Sequence, residues 1–376
     1  MKIVYKLILI CTLAFGISFN AYCMPRTSNG TGGGAWSSPN TWNPVGFPTN
    51  ADDITILAGD VVTNTSASNI CLSLTVNGTL SSASPGFLKI NGNYTIGLTG
   101  SEIGSSGIIS FYVNAPAIIS SSVLISNRVV YIFYKNMTVA AGTTISKTTA
   151  TVTIQPSVVI TNQGTVTFGT VNCGINSGWI NDVGSILTLT KVGFLAAAGT
   201  TLTANAANNT ISYNISAGSE TIKNPVAGYY NLSLSGTTIR SLGAALIVLN
   251  NFTTSSPLNT NNRNITVGGN WLNSGTFTAG TGTVTLNGAG AQSLGGTSTT
   301  TFYNLTKSGG GTTTLAKNTV VTNLFNISSG IFNASTFGLT GAAGFTQTNG
   351  ELQLAKLAVT LPELVGAYAI SGGKVT

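Results

Sequence analysis

Apolar and small polar residues alternate one by one along much of this chain. Thr151-Val152-Thr153-Ile154, Thr165-Val166-Thr167-Phe168, Leu187-Thr188-Leu189-Thr190 and Thr283-Val284-Thr285-Leu286 carry the period of two and the β-branched enrichment of half-buried strands. Asn77-Gly78, Asn91-Gly92 and Asn287-Gly288 supply corners between such runs. Nothing reads as a long amphipathic helix. The expected fold is all-β.

The alternating runs also repeat. Tyr230-Asn231-Leu232 returns as Tyr303-Asn304-Leu305, and Val248, Asn250 and Phe252 return as Val321, Asn323 and Phe325, with 303 − 230 and 325 − 252 both giving 73. Ile211-Ser212-Tyr213 matches Val284-Thr285-Leu286 at the same offset. Ala217-Gly218-Ser219-Glu220 matches Ala289-Gly290-Ala291-Gln292 with a one-residue slip, and a third copy begins at Val359-Thr360-Leu361. Self-similarity of this kind marks an array whose units bury their apolar faces on one another. A period of 73 residues divides into about three coils of roughly 24, which predicts a right-handed parallel β-helix, or β-solenoid. A string of tandem β-sandwiches is the alternative, because Asn-Gly is also a hairpin signal.

Composition favours the solenoid. Charged residues make up only 6% of the 376 residues, and there are 46 glycines. In stacked coils like sits over like, so charged rows repel whereas Thr, Ser and Asn rows hydrogen-bond along the axis. Residues 1–23 carry Lys2 and Lys6, an apolar run from Leu7 to Phe19 and a small-x-small ending in Asn20-Ala21-Tyr22-Cys23, the pattern of a secretory signal peptide. Ala21-Tyr22 before Cys23 lacks the small residue a lipobox needs beside its cysteine. Loss of this leader lowers the formal charge from +7 to +5 (7 − 2). It leaves scattered single Lys and Arg residues with no stripe to track phosphates, so nucleic acid is not an expected partner. No membrane span is expected after the leader.

Residues 24–34 are, beyond Met24, Pro25 and Arg26, all Ser, Thr, Asn and Gly, and read as a flexible lead-in. Residues 35–62 read as an N-terminal aromatic cap and first coil, because Trp36, Trp42 and Phe47 among Pro39, Pro44 and Pro48 can cover an open end. Residues 63–376 are the expected solenoid repeats. Trp36, the prolines, the acidic pair Asp52-Asp53 leading into a strand, Gly59 before Val61, and Leu74-Thr75-Val76-Asn77-Gly78-Thr79-Leu80 form a recognisable opening. It resembles that of the eight-glycine domain family and of the repetitive secreted surface proteins of type IX-secreting bacteria. The resemblance covers about Trp36 to Leu80, with the later repeats looser. It implies a parallel β-helix and no particular reaction.

The chain contains no histidine, which removes the commonest general base, the usual nucleophile pairs and the usual metal ligand. Enzymes on β-helices use paired carboxylates, or acids with calcium and a basic residue. Only Asp52, Asp53 and Asp60 lie close together in sequence, as turn caps or as a candidate calcium site. Glu220 aligns with Gln292 and reads as a solvated turn. Tyr230 and Tyr303 read as packing positions, with a sugar-stacking face as the other reading. Thr-x-Thr rows suggest an ice-binding array, but their spacing along the chain is irregular. No catalytic, cofactor-binding or metal residue is assigned.

Cys71 and Cys173 lie 102 residues apart (173 − 71), about four coils, and are expected to be unpaired core residues. Gly373-Lys374-Val375-Thr376 resembles the start of the strand Thr283-Val284-Thr285, so the solenoid is expected to run on beyond Thr376 and to self-associate there through Leu361, Leu364, Val365 and Ile370. The expected function is that of a non-enzymatic secreted or cell-surface repeat protein, a structural or adhesive rod whose partners are surface glycans or other cell-surface proteins. The alternative is a polysaccharide-active β-helix enzyme, a lyase or glycoside hydrolase.

Overall fold

The computed structural model describes residues 24–104, 106–112, 117–126, 128–341, 343–354 and 363–376. The expected leader at 1–23 and the third repeat start at Val359-Thr360-Leu361 lie outside the described residues. Apart from a 3-10 turn at Pro39–Thr41, the described elements are strands. They stack as a β-solenoid of about 15 turns. Among the described pairings all are parallel except Arg26–Ser28 with Trp42–Asn43, which excludes antiparallel sandwiches. No helix among the described residues is long and apolar enough to cross a membrane.

Each coil contributes strands to three faces. The first face is a ten-stranded sheet ending at Thr201–Thr203, continued through the bridges Ala204–Tyr229–Val248 into a nine-stranded sheet. On the second face a four-stranded sheet, Gly33–Ala35 to Ser101–Gly104, is followed by a thirteen-stranded sheet that begins at Ile125–Ser126. The third face is a six-stranded sheet from Asn69–Cys71 to Val171–Cys173, then a four-stranded one from Glu220–Ile222 to Phe277–Thr278. Alternation sends every second side chain inward, so the columns Ile54, Leu74, Tyr94 and Leu187, Ile211, Leu232 are buried in one continuous core. Corners are tight: a Cβ on Gly296, at φ +115°, would lie 2.0 Å from the Asn273 carbonyl of the coil beneath.

Most coils are shorter than 24 residues. Ile54 pairs with Leu74 and Ile145 with Val166, steps of 20 (74 − 54) and 21 (166 − 145). The shortest step is 18 (Arg240 to Leu258, 258 − 240), and the longest, 28 (Arg26 to Ile54, 54 − 26), holds the Trp36 to Phe47 excursion. The 73-residue repeat is therefore not three coils. The ladder Ile211–Leu232–Phe252 lies in the thirteen-stranded sheet, and its copy Val284–Leu305–Phe325 lies in the nine-stranded sheet on a neighbouring face. The copy thus stands three full coils and two faces further on. It fits there because each face imposes the same in-out alternation.

The two cysteines cap the ends of one inward column, Cys71–Ile90–Phe111–Phe133–Ile154–Cys173. Five rungs of ~4.8 Å separate them, against the four expected, and both thiols are free. At the other end of the chain Leu364 is buried while Val365 and Ile370 are exposed.

Residues 24–34 are not a loose lead-in. Arg26–Ser28 pairs with Asp53–Ile56 and Gly33–Ala35 with Val61–Asn64, so the first coil starts at Arg26. Sequence reasoning missed this because the segment is held by polar bonds to later residues rather than by apolar burial: the Ser28 hydroxyl accepts the Leu57 N–H, and Asp60 accepts the N–H groups of Gly30 and Gly32. Trp42–Asn43 lies along the outer edge of Arg26–Ser28. Trp36 and Trp42 are buried edge to face, centroids 5.0 Å apart, with the Trp42 indole N–H donating to the Trp36 carbonyl. Phe47 is 58% exposed and covers nothing. Trp42→Ala should cost about 3–5 kcal/mol of unfolding free energy, and Phe47→Ala less than about 0.5 kcal/mol. Chemical denaturation of the two variants checks the contrast.

Candidate functional site

The acids that stand close in sequence serve separate turns. Asp52 is buried and accepts Arg26 Nε at 3.1 Å, the Thr49 N–H at 2.8 Å and Thr49 Oγ1 at 2.9 Å. Asp60 accepts Gly30 and Gly32 at 2.8 Å each. Burial pushes its carboxyl up, but bonds from Ser28, Gly30 and Gly32 outweigh that and hold it below the usual range. Asp53 accepts the Ser73 hydroxyl. Among the described residues no three His, Cys, Asp or Glu side chains gather as a metal would require.

Tyr230 and Tyr303 are half-buried, and the buried aromatics are their neighbours Tyr229 and Phe302. Because the repeat spans a non-integral number of coils, the two tyrosines occupy different corners of the prism and form no common stacking face. The hydroxyl rows are more regular in space than along the chain. Ser146, Thr167, Thr188, Ser212, Ser233 and Thr253 stand rung over rung on the second face, since differences in coil length are absorbed at corners.

Glu220 and Gln292 are not solvated: both point inward and are buried. Gln292 satisfies its amide on the carbonyls of Val267 and Gly269 and on the Gly288 N–H. Glu220 lies where the third face is interrupted. Between Val171–Cys173 and Glu220–Ile222 the chain passes through Lys191 to Thr200 without a strand, leaving a lateral cleft of about 420 Å³. Phe194, Leu195 and Ile222 form its apolar lining, and Glu220 and Lys223 bring charge to it. Glu220 accepts the Gly193 N–H at 2.9 Å. Lys223 Nζ donates to the Leu195 carbonyl at 3.2 Å and to Thr200 Oγ1 at 2.9 Å. Leu195 is buried at φ +53°, a conformation that costs a branched side chain energy and that the bonds donated to its carbonyl by Lys223 and the Thr200 hydroxyl help to hold.

One rung above Glu220 sits Arg240, fully buried, donating to the carbonyls of Thr238 (3.0 Å), Ile215 (2.7 Å) and Ser235 (2.9 Å). Burial raises the Glu220 pKa, with the Gly193 N–H and the Arg240 charge working against it, and burial lowers that of Lys223. An ionisable set shifted by burial beside a cavity, with a backbone outlier, is the physical signature of a binding or reactive site. Its sequence signal was an inverted alternation at Ile239-Arg240-Ser241-Leu242, where Arg240 takes the inward position and Ile239 is exposed.

A second buried charge cluster fills the core where the second face is interrupted. Glu102 accepts Lys147 Nζ at 2.8 Å and the hydroxyls of Tyr94 (2.5 Å) and Tyr131 (2.6 Å), with the ammonium 4.1 Å from the Tyr131 ring centroid. Burial alone would push the Glu102 carboxyl up, but the Lys147 charge and these bonds hold it below the usual range. All four side chains are buried, and the cluster reads as a structural crosslink of three faces.

Compared with family models, with curated proteins and with solved structures, the chain matches none. The fold and cleft define it as a parallel β-solenoid with a lateral pocket at a break in one face.

Removing one partner of the core pair, by Glu102→Gln or Lys147→Met, should cost about 3–5 kcal/mol, and the double replacement less than the sum of the two. Denaturant titration of all three variants measures this. At Glu220 the folded pKa lies above the unfolded one, so the folded state holds the proton more tightly. This group's contribution to stability then falls as pH rises from its unfolded value of about 4.3 through its folded value. Glu220→Gln should remove that slope and raise the melting temperature at neutral pH, which thermal melts across the range will show.

Proposed function

We propose that this chain is a non-enzymatic secreted or cell-surface repeat protein, a structural or adhesive rod of the kind displayed by type IX-secreting bacteria, that holds a glycan-binding surface away from its anchorage. The observation that carries this reading is the single core running through about 15 turns. At ~4.8 Å per turn that is a stiff body on the order of 70 Å. Its outward rungs are largely neutral hydroxyls and amides, such as Ser146 to Thr253 on the second face and Thr266, Thr285, Thr306, Asn326 and Thr346 on the first. These are groups that exchange hydrogen bonds with water and with sugars alike. The leader-like residues 1–23 support export.

The polysaccharide-active enzyme remains the second reading because of Glu220, a buried carboxyl whose pKa is pushed up beside a cationic Lys223 in a cleft. Against it, Glu220 is the one carboxylate lining that cleft, whereas carboxylate-pair hydrolysis needs two acids facing across the scissile bond. Fold alone does not choose between the two. The mature protein should bind immobilised plant, algal or host glycans without releasing reducing or unsaturated ends, with or without calcium. Release of such ends would instead establish the enzyme.

A further inference from the structure

We propose that the cleft beside Glu220–Ile222 binds a carboxylate-bearing sugar, a uronate unit within an acidic polysaccharide; this deepens, and rests on, the glycan-binding reading above. The charges at the break do not balance. Lys223 is bonded only to neutral oxygens of Leu195 and Thr200, and Arg240 to backbone carbonyls and the Thr238 hydroxyl. Among the described residues neither makes an ion pair, and Glu220 is the single carboxylate beside the two cations. An anionic group at the Lys223 ammonium restores neutrality in a partly desolvated place, where a charge-assisted bond is strong.

The same cleft also offers partners for hydroxyl groups. Glu220 is an acceptor. The strand Glu220–Ile222 is the terminal strand of its sheet, and the Glu220 N–H is turned toward Ile239 on the next coil. In a parallel ladder successive residues bond to opposite sides, so the Thr221 N–H and C=O face the gap. One anion site with a donor, an acceptor and a carboxylate around it matches a ring that carries one carboxylate and several hydroxyls. An acidic peptide fits less well, because its carboxylates bring no ring hydroxyls to the Glu220 acceptor and the Thr221 backbone groups. The volume of about 420 Å³ lies in the range of sugar-sized sites. The formal charge of the chain without its leader, +5 (7 − 2), favours the encounter with an acidic polymer.

Titration calorimetry of the chain without its leader against oligogalacturonate, oligoalginate and hyaluronan fragments, each paired with its carboxyl-reduced neutral form, tests the assignment and identifies the polymer. At least one acidic oligomer should bind more than about tenfold more tightly than its neutral counterpart, with affinity falling as salt rises. Lys223→Gln should abolish that preference and Lys223→Arg should retain most of it. Ala244→Trp, at the exposed rim of the cleft, should block binding without touching the Lys223 bonds, and melting curves will show that each variant is folded. Equal binding of acidic and neutral forms, or undiminished binding by folded Lys223→Gln and Ala244→Trp proteins, overturns the uronate site while leaving the glycan-binding rod in place. No binding to any acidic or neutral glycan overturns both.

Discussion

Everything in this molecule depends on parallel, in-register hydrogen bonding between one coil and the next. That ladder sets the rise per turn and forces each inward position to lie directly over its counterpart, so the core is a set of columns rather than a cluster. Ile54 over Leu74 over Tyr94, or Ile211 over Leu232 over Phe252, are consequences. So is the intolerance of side chains at corners such as Gly296, where the carbonyl beneath occupies the place of a Cβ. The low charge of the sequence follows as well, because an ionised column would repel itself along its whole length.

Two inward charge clusters stand where the ladder of a face is interrupted, whereas Lys307 points inward within a continuous ladder and donates to the Gly309 carbonyl. Glu102 and Lys147 project into the core from the two sides of the break on the second face and neutralise one another with two tyrosine hydroxyls. At the break on the third face, Glu220, Lys223 and Arg240 gather without a closed ion pair, and Leu195 is held in a left-handed conformation. The first arrangement is buried and closes on its own ion pair. The second is open to solvent, and that difference is what separates a brace from a binding place.

The all-β stacked architecture was legible because alternation and self-similarity are both local properties of the sequence. Coil length was not, since a 73-residue period says nothing about how many corners it contains. The inward charges were half legible: Arg240 betrays itself by trading places with Ile239, but Glu102 takes a position that its stacked neighbour Leu80 fills with an apolar side chain. Residues 24–34 were misread because Gly and Ser report on intrinsic flexibility, whereas their order here comes from carboxylates and hydroxyls supplied by later residues. Likewise Glu220 and Gln292 looked like a solvated turn because their shared position tolerates either head group, and what it requires is an acceptor for a backbone N–H.

The rotation of the 73-residue repeat also has a bearing on how such a chain can grow. Had the unit held a whole number of coils, each new copy would present its features on the same side, giving a molecule with one working flank. Because Ile211, Leu232 and Phe252 reappear on a different face as Val284, Leu305 and Phe325, each duplication instead turns its features by a third of a revolution about the axis. Amplifying the unit therefore builds a spiral staircase, with equivalent surfaces pointing outward at successive bearings. A filament grown this way could meet partners approaching from any direction without needing to swivel.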